Sequence, residues 1–236
     1  MNSNLESICK QLEMELSNST QMKSTLESIS PILTKWGLPG VTKTIQKLVE
    51  ENAWLEKVAK KSHFQGNGFY KIVLFQNDIF SLRLHLYLPH NRAQENLHSH
   101  RWPFVSTILT GTLSSEVWID SIRPDCDSYD EYLYVGKDKA IIKIGRAKVE
   151  IAEELTFNES ESYITYPDQL HRVAKVSNEM TATLMVRPNQ CRSWARNIVV
   201  NNRIPDTVPE YLSAEALADI LNEFLDITND RQGLTQ

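Results

Sequence analysis

Leu97-His98-Ser99-His100-Arg101-Trp102-Pro103-Phe104-Val105-Ser106-Thr107-Ile108-Leu109-Thr110-Gly111 is the stretch on which the reading of this chain turns. Two histidines separated by one residue point to the same side of a β-strand, because side chains alternate with period two. His98 and His100 can therefore face one ion together. A third histidine from another strand would complete three ligands and leave open positions, as a catalytic metal site requires. His171, in Tyr166-Pro167-Asp168-Gln169-Leu170-His171-Arg172-Val173, is the candidate. Neutral imidazole ligates iron, zinc, copper and nickel, so ligand type alone leaves the metal open. The competing reading is a pair of histidines that merely pack. By the same alternation Trp102 and Phe104 share the ligand face and wall a pocket, whereas Arg101 and Arg172 point away as structural charges. His63 and His90 are expected in solvated surface loops.

Outward from this stretch the chain divides into three. Residues 1–62 read as helical: Leu5, Ile8, Cys9, Leu12 and Leu16 recur at helical spacing, Met22, Leu26 and Ile29 continue to Pro31, and a third run follows a break at Pro39-Gly40. Their apolar faces are short, so they are expected to pack on the outside of the main fold. Residues 63–204 carry short segments rich in β-branched and aromatic residues, punctuated by Gly, Asn, Asp and Pro. The expected strands are Phe69 to Phe75, Phe80 to Leu88, Phe104 to Leu109, Leu113 to Ile119, Ala140 to Ile144, Val149 to Ile151, Ser162 to Tyr166, His171 to Val176 and Thr181 to Val186. Many short strands without intervening helices predict a mainly β sandwich or barrel. Residues 205–236 return to helix, with Ser213 as N-cap, and the stretch from Thr228 to Gln236 is expected to fray.

The strand Ser81-Leu82-Arg83-Leu84-His85-Leu86-Tyr87-Leu88 alternates without a fault. Either the leucines form the core and the polar set meets water, or the polar set lines a cavity and the leucines pack against the helices.

His98 to Gly111 resembles the first signature of the cupin superfamily, a small double-stranded β-barrel. Gly111 stands at the expected distance after His100, and Phe104 occupies the place of the usual acidic ligand. Pro167 and His171 resemble the end of the second signature. A site of three neutral histidines is similar to the thiol dioxygenase branch, the cysteine dioxygenase type. Gln65-Gly66-Asn67-Gly68, His171-Arg172-Val173 and Thr183-Leu184-Met185-Val186-Arg187-Pro188 resemble that branch as well, so the likeness spans residues 65 to 190. It implies a cupin-type double-stranded β-helix barrel with flanking helices and Fe(II) on His98, His100 and His171. It places His85 and Tyr87 in the metal cavity, and Lys71 near the position that holds the substrate's carboxylate. The branch's thioether cysteine has no counterpart near Val105, and of its serine-histidine-tyrosine relay only a hydroxyl, Thr183, is present.

Composition narrows the classes. The chain has 236 residues, 41% of them hydrophobic and 23% charged, which is ordinary for a globular protein. A net charge of −5 and the lack of a basic stripe argue against nucleic acid. Three scattered cysteines argue against a disulfide framework and, with no signal-like start or membrane-length apolar run, predict a cytoplasmic protein. Three neutral ligands leave a divalent ion its full charge. With Arg83, Lys71 and Arg187 turned inward, the cavity should favour an anion that arginine's planar fork can clamp. The expected function is a mononuclear non-haem iron oxygenase taking dioxygen and a small anionic, amino-acid-like molecule, with His85 and Tyr87 handling protons. The alternative is a non-oxidative metal-dependent cupin, an isomerase or lyase, or a small-molecule binding module.

Overall fold

The computed structural model describes residues 3–18, 21–90, 95–135, 140–200 and 209–233. Three helices lead: α1 (Ser3–Asn18), α2 (Met22–Glu50) and α3 (Asn52–Ala59). Helical periodicity sets their buried faces, with Leu5, Ile8, Cys9 and Leu12 inside from α1 and Leu26, Ile29 and Leu33 from α2. α2 runs through Pro31 and breaks at Gly37 (φ 49°, ψ −161°), not at Pro39-Gly40. Gly37 supplies the positive φ, and Pro39 falls in the first turn of the arm that follows, where its missing N–H costs nothing. Gly40 belongs inside that arm because a Cβ there would stand 2.5 Å from the Trp36 ring.

Twelve strands follow among the described residues. They are β1 (His63–Gln65), β2 (Phe69–Gln76), β3 (Phe80–Tyr87), β4 (Leu97–His98), β5 (Phe104–Thr110), β6 (Leu113–Asp120), β7 (Ser128–Val135), β8 (Ala140–Phe157), β9 (Ser162–Thr165), β10 (Leu170–Val176), β11 (Thr181–Pro188) and β12 (Trp194–Val199). One antiparallel sheet has the order β1-β2-β3-β11-β5-β9, and the other closes through β10-β4-β12-β7-β8-β6. This is the mainly β, double-stranded barrel that the sequence predicts. The C-terminal helix α4 (Ala214–Gly233) starts at Ser213, whose Oγ accepts the Ala216 N–H at 3.0 Å.

Several local expectations change. β8 is one strand and not two: Gly145 lies where the pairing with β7 shifts register, so the chain passes through a bulge instead of turning. β7 and β12 carry enough tyrosine, arginine and aspartate that their alternation reads poorly as strand. The helix continues through Thr228, which is fully buried and donates its hydroxyl to Phe224 O at 3.0 Å, so the expected fraying at that residue does not occur. The expected boundary at residues 204 and 205 lies outside the described residues.

The principal core lies between the helices and one face of the first sheet. Leu82, Leu84 and Leu86 of β3 and Ala182, Leu184 and Val186 of β11 are fully buried and pack with α1, α2, α3 and α4. Each leucine so covered contributes roughly 1.5–3 kcal/mol. The other face of the same sheet turns toward the second sheet and lines the space between them. No helix among the described residues is long and apolar enough to cross a membrane.

Two outcomes follow. Deleting residues 1–60 uncovers the β3 leucines, so the truncated chain should be insoluble, and a soluble barrel by light scattering would refute the packing role. Gly111 holds φ +79°, and a Cβ there would meet Met180 O and Thr181 Oγ1 at 2.6 Å. Gly111→Ala should therefore lower unfolding free energy by about 2 kcal/mol or more in chemical denaturation.

Candidate metal centre and anion pocket

His98 closes the two-residue strand β4, and His100 follows in an irregular segment, not on the strand that period-two reasoning assumed. The two rings meet nevertheless, with centroids 4.8 Å apart. β10 brings the third ring, since His171 pairs directly with His98 across the β10–β4 ladder. The ligating atoms of His98, His100 and His171 all lie within 4.8 Å of one another. His100 Nε2 and His171 Nε2 are 2.8 Å apart.

The donor set fits a small divalent ion. His98 Nδ1 lies 3.0 Å from the Asn96 carbonyl, which fixes its proton there and leaves Nε2 as the lone-pair atom. Burial, with the neighbouring His98, drives the His100 and His171 rings well below the ordinary imidazole range, so both are neutral at pH 7. The Nε2 separation approaches that of two imidazole nitrogens sharing one ion with bonds of roughly 2.0–2.1 Å at near-right angles.

Because β4 is so short, side chains hold these ligands where a ladder would otherwise do so. Arg192 donates from Nε to the His100 carbonyl (2.8 Å) and from Nη2 to Ser99 Oγ (2.7 Å), and it also reaches the Pro167 carbonyl ahead of His171. Ser99 Oγ in turn accepts the Arg196 N–H at 2.9 Å. Beyond β4, the Val173 N–H on β10 is taken up by Glu95 Oε2 at 2.8 Å. Burial raises the Glu95 carboxyl, while His98, Val173 and Asn67 pull it back. Sequence reasoning missed Glu95, Asn67 and Arg192. Only the adjacency of Glu95 to the histidine pair, and of Asn67 to the Gln65-Gly66 turn, offered a signal.

A cavity of about 890 Å³ opens beside the three histidines, lined in part by Lys71, Arg83, His85, Tyr87, Trp102 and Phe104. β3 thus turns its polar face inward and its leucines toward the helices. His85 is buried and its Nε2 has no hydrogen-bond partner among the described residues. Burial, then Arg83, Lys71 and His63, hold its ring well below the ordinary range, while Phe69 packs against it at 4.7 Å. Tyr87 is pushed far up by burial and by the Glu95 carboxylate that faces it. Phe104 meets both His100 (5.0 Å) and His171 (5.9 Å).

Arginines gather around Trp102. The guanidinium carbons of Arg187, Arg101 and Arg83 lie 4.3, 5.4 and 5.9 Å from its ring centroid. Ser81 Oγ accepts from Arg83 Nε (3.1 Å) and Arg187 Nε (3.2 Å). Neither Arg83 nor Arg187 has a carboxylate partner among the described residues. Burial and Arg187 lower Arg83 to about 9, and burial and Arg101 lower Arg187 to about 10. Arg187 itself stands outside the cavity lining, behind Trp102, because it lies at the end of β11, past Met185.

Two expectations are corrected. Arg101 lines the cavity, since the irregular backbone after Ser99 breaks the alternation that would point it away. His63 is not a solvated loop residue: it is buried in β1, lines the cavity, and shares a 3.0 Å contact with Gln65 Oε1. Arg172 is structural, held by Glu116 at 2.7 and 3.1 Å, and His90 is exposed in a turn.

Neither a protein-family profile nor a curated protein matches the sequence. Among solved structures, the chain resembles an uncharacterized Klebsiella pneumoniae protein with a double-stranded beta-helix domain, at 11% identity over 59% of this chain and 93% of that one, TM-score 0.34. It also resembles an oxalate decarboxylase from Lactobacillus farciminis, at 14% identity over 56% and 32%, TM-score 0.34. A Thermus thermophilus protein aligns at 19% identity over 53% and 87%, TM-score 0.31. These likenesses are loose, and the chemistry of the site rests on its own residues.

Replacing His171 with alanine should lower divalent-metal affinity more than 100-fold, beyond the roughly 10–100-fold that outer partners cost. Stoichiometric metal in that variant, by elemental analysis, would remove His171 from the site. In metal-free protein His85, His100 and His171 are held neutral when folded and titrate near 6.5 when unfolded. The unfolded chain then binds more protons below pH 6.5, so stability is full above that pH. It should fall as pH drops, by up to about 1.4 kcal/mol per unit per ring. Denaturation midpoints flat between pH 7 and 5 would contradict this.

Proposed function

We propose that the chain is a mononuclear non-haem iron(II) oxygenase that takes dioxygen and a small anionic, amino-acid-like substrate. The observation that carries the reading is the juxtaposition, at one cavity, of three histidines able to share one ion with Arg83, a buried arginine that lacks a carboxylate partner among the described residues. When bound by His98, His100 and His171, iron supplies a centre where a substrate donor atom and dioxygen meet, so that oxygen transfer becomes an intramolecular step. Arg83 clamps the anionic group with the terminal nitrogens that Ser81 leaves unused, and Trp102 holds its guanidinium plane. Arg187, behind Trp102, acts through the ring and through Ser81 and does not touch the substrate. Lys71, paired with His85 across the β2–β3 ladder, adds a further cation on the same wall.

Proton handling falls to His85 and Tyr87. A neutral His85 with an unpartnered Nε2 can accept or donate a hydrogen bond to the bound molecule. Tyr87, its proton firmly held, donates and does not ionise. Phe104 and Trp102 keep water from the ligand face. Neutral ligands and a cationic wall together favour an anion, since a buried cluster of one sign is costly without its counter-charge.

Arg83→Ala should leave iron content unchanged and raise KM for an anionic substrate at least about 30-fold, corresponding to the roughly 2 kcal/mol or more of a charge-assisted hydrogen-bonded pair. Oxygen uptake with amino-acid-like thiols and acids reads the activity. Zinc or nickel in freshly purified protein, with no oxygen uptake, would favour a non-oxidative reaction instead.

A further inference from the structure

The cavity beside the three histidines is larger than a single amino acid can fill. Its volume of about 890 Å³ corresponds to about thirty waters at roughly 30 Å³ each. The surplus room follows the inner face of the first sheet. Tyr211 bridges to His63, His63 pairs with Lys71 across the β1–β2 ladder, and Lys71 pairs with His85 across β2–β3. Directly paired residues share a face, and all four line the cavity. Neighbouring strands lie ~4.8 Å apart, so this row runs about 14 Å. One residue of extended chain covers at most about 3.5 Å, so a free amino acid occupies only a part of the row. Arg83, two residues before His85 on β3, shares the same face.

The far end of the row is fixed in place and carries the opposite charge. The Leu212 N–H donates to the Ser62 carbonyl at 2.9 Å, and the Tyr211 ring meets His63 edge-on at 5.7 Å. Glu210, beside Tyr211, lines this end and is exposed at the mouth. The other carboxylate on the described lining, Glu95, is committed to the Val173 N–H. Asn197, the ladder partner of His98, faces the cavity from β12. It is buried, and its Oδ1 has no hydrogen-bond partner among the described residues. An alkyl tail laid here would leave that amide unmet, and a second carboxylate would be repelled by Glu210.

We propose that the cavity takes a short peptide of about three residues, with its C-terminal carboxylate on Arg83 and its N-terminal ammonium at Glu210. The inference rests on the Arg83 clamp of the proposed function and extends it from an amino-acid-like molecule to a peptide. Both charged ends of the chain then meet an opposite charge, and its amides can engage Asn197. The C-terminal residue lies toward the histidines, since Arg83 and His100 each stand 5.9 Å from the Trp102 ring.

Calorimetric titration of the full chain as purified, with alanine and with the tripeptide glycyl-glycyl-alanine, tests this. Neither probe carries a thiol, so binding is read apart from oxygen chemistry. The tripeptide should bind at least about tenfold more tightly than alanine, and Arg83→Ala should weaken both at least about tenfold. Glu210→Gln, at an exposed position, should lower the preference for the tripeptide about threefold, the scale of an exposed ion pair. The N-acetylated tripeptide, which lacks the ammonium, should bind that variant and the wild type alike. Equal affinity for alanine and tripeptide, with both weakened by Arg83→Ala, would overturn the peptide and spare the clamp. A tripeptide preference indifferent to Glu210→Gln would overturn the assigned direction of the chain. Indifference of both probes to Arg83→Ala would overturn the clamp and the peptide together.

Discussion

Period-two alternation in β3 is the constraint from which both halves of the molecule follow. A strand can send only every second side chain to one side. Leu82, Leu84 and Leu86 are fully buried among the helices, and that obliges Arg83, His85 and Tyr87 to face the second sheet. A register slip of one residue would exchange the two sets and place a guanidinium and an imidazole under α2. The hydrophobic core and the chemistry of the cavity are therefore one commitment. The helices, which contribute few groups to the cavity, keep its polar wall turned inward.

The three histidines are held by a different device. A two-residue β4 cannot hold His98 and His100 by ladder hydrogen bonds alone. The ladder is replaced by side chains that reach across it: Arg192 joins the His100 segment to Pro167, and Glu95 takes the Val173 N–H on the strand that carries His171. Each contact exchanges a backbone partner for a charge-assisted one, which is individually stronger. Such tethers keep the three rings convergent while the backbone between them stays irregular.

This division explains what could be read from the sequence. The period-two pattern in β3 depends on side chains alternating between the helix-packed core and the polar cavity face, and a single chain displays that directly. The histidine trio was legible because ligand chemistry restricts residue type. Glu95, Asn67 and Arg192 were not, because a lone acid, amide or arginine in a loop has no period and its partners lie far along the chain. Arg101 and His63 were misplaced for a related reason: one follows a bend that resets alternation, and the other sits in a strand of three residues, too short to show a pattern. β8 was cut in two because its glycine reads as a turn, whereas the register shift opposite it absorbs a bulge.

Charge ties the two ends of the cavity together. Burial lowers Arg83 and Arg187, and neither meets a carboxylate among the described residues. The buried carboxylate on the lining, Glu95, already accepts from the Val173 N–H and is turned to Tyr87 and His98 instead of the arginines. A divalent ion on three neutral rings adds further positive charge without a ligand to offset it. In the proposed function the substrate's anionic group is then the counter-ion of both clusters at once. Linkage requires the effect to be mutual: an anion at Arg83 relieves the repulsion opposing the ion, so each ligand tightens the other's binding by the same factor. In the proposed function, metal and anion are therefore held together more firmly than either alone.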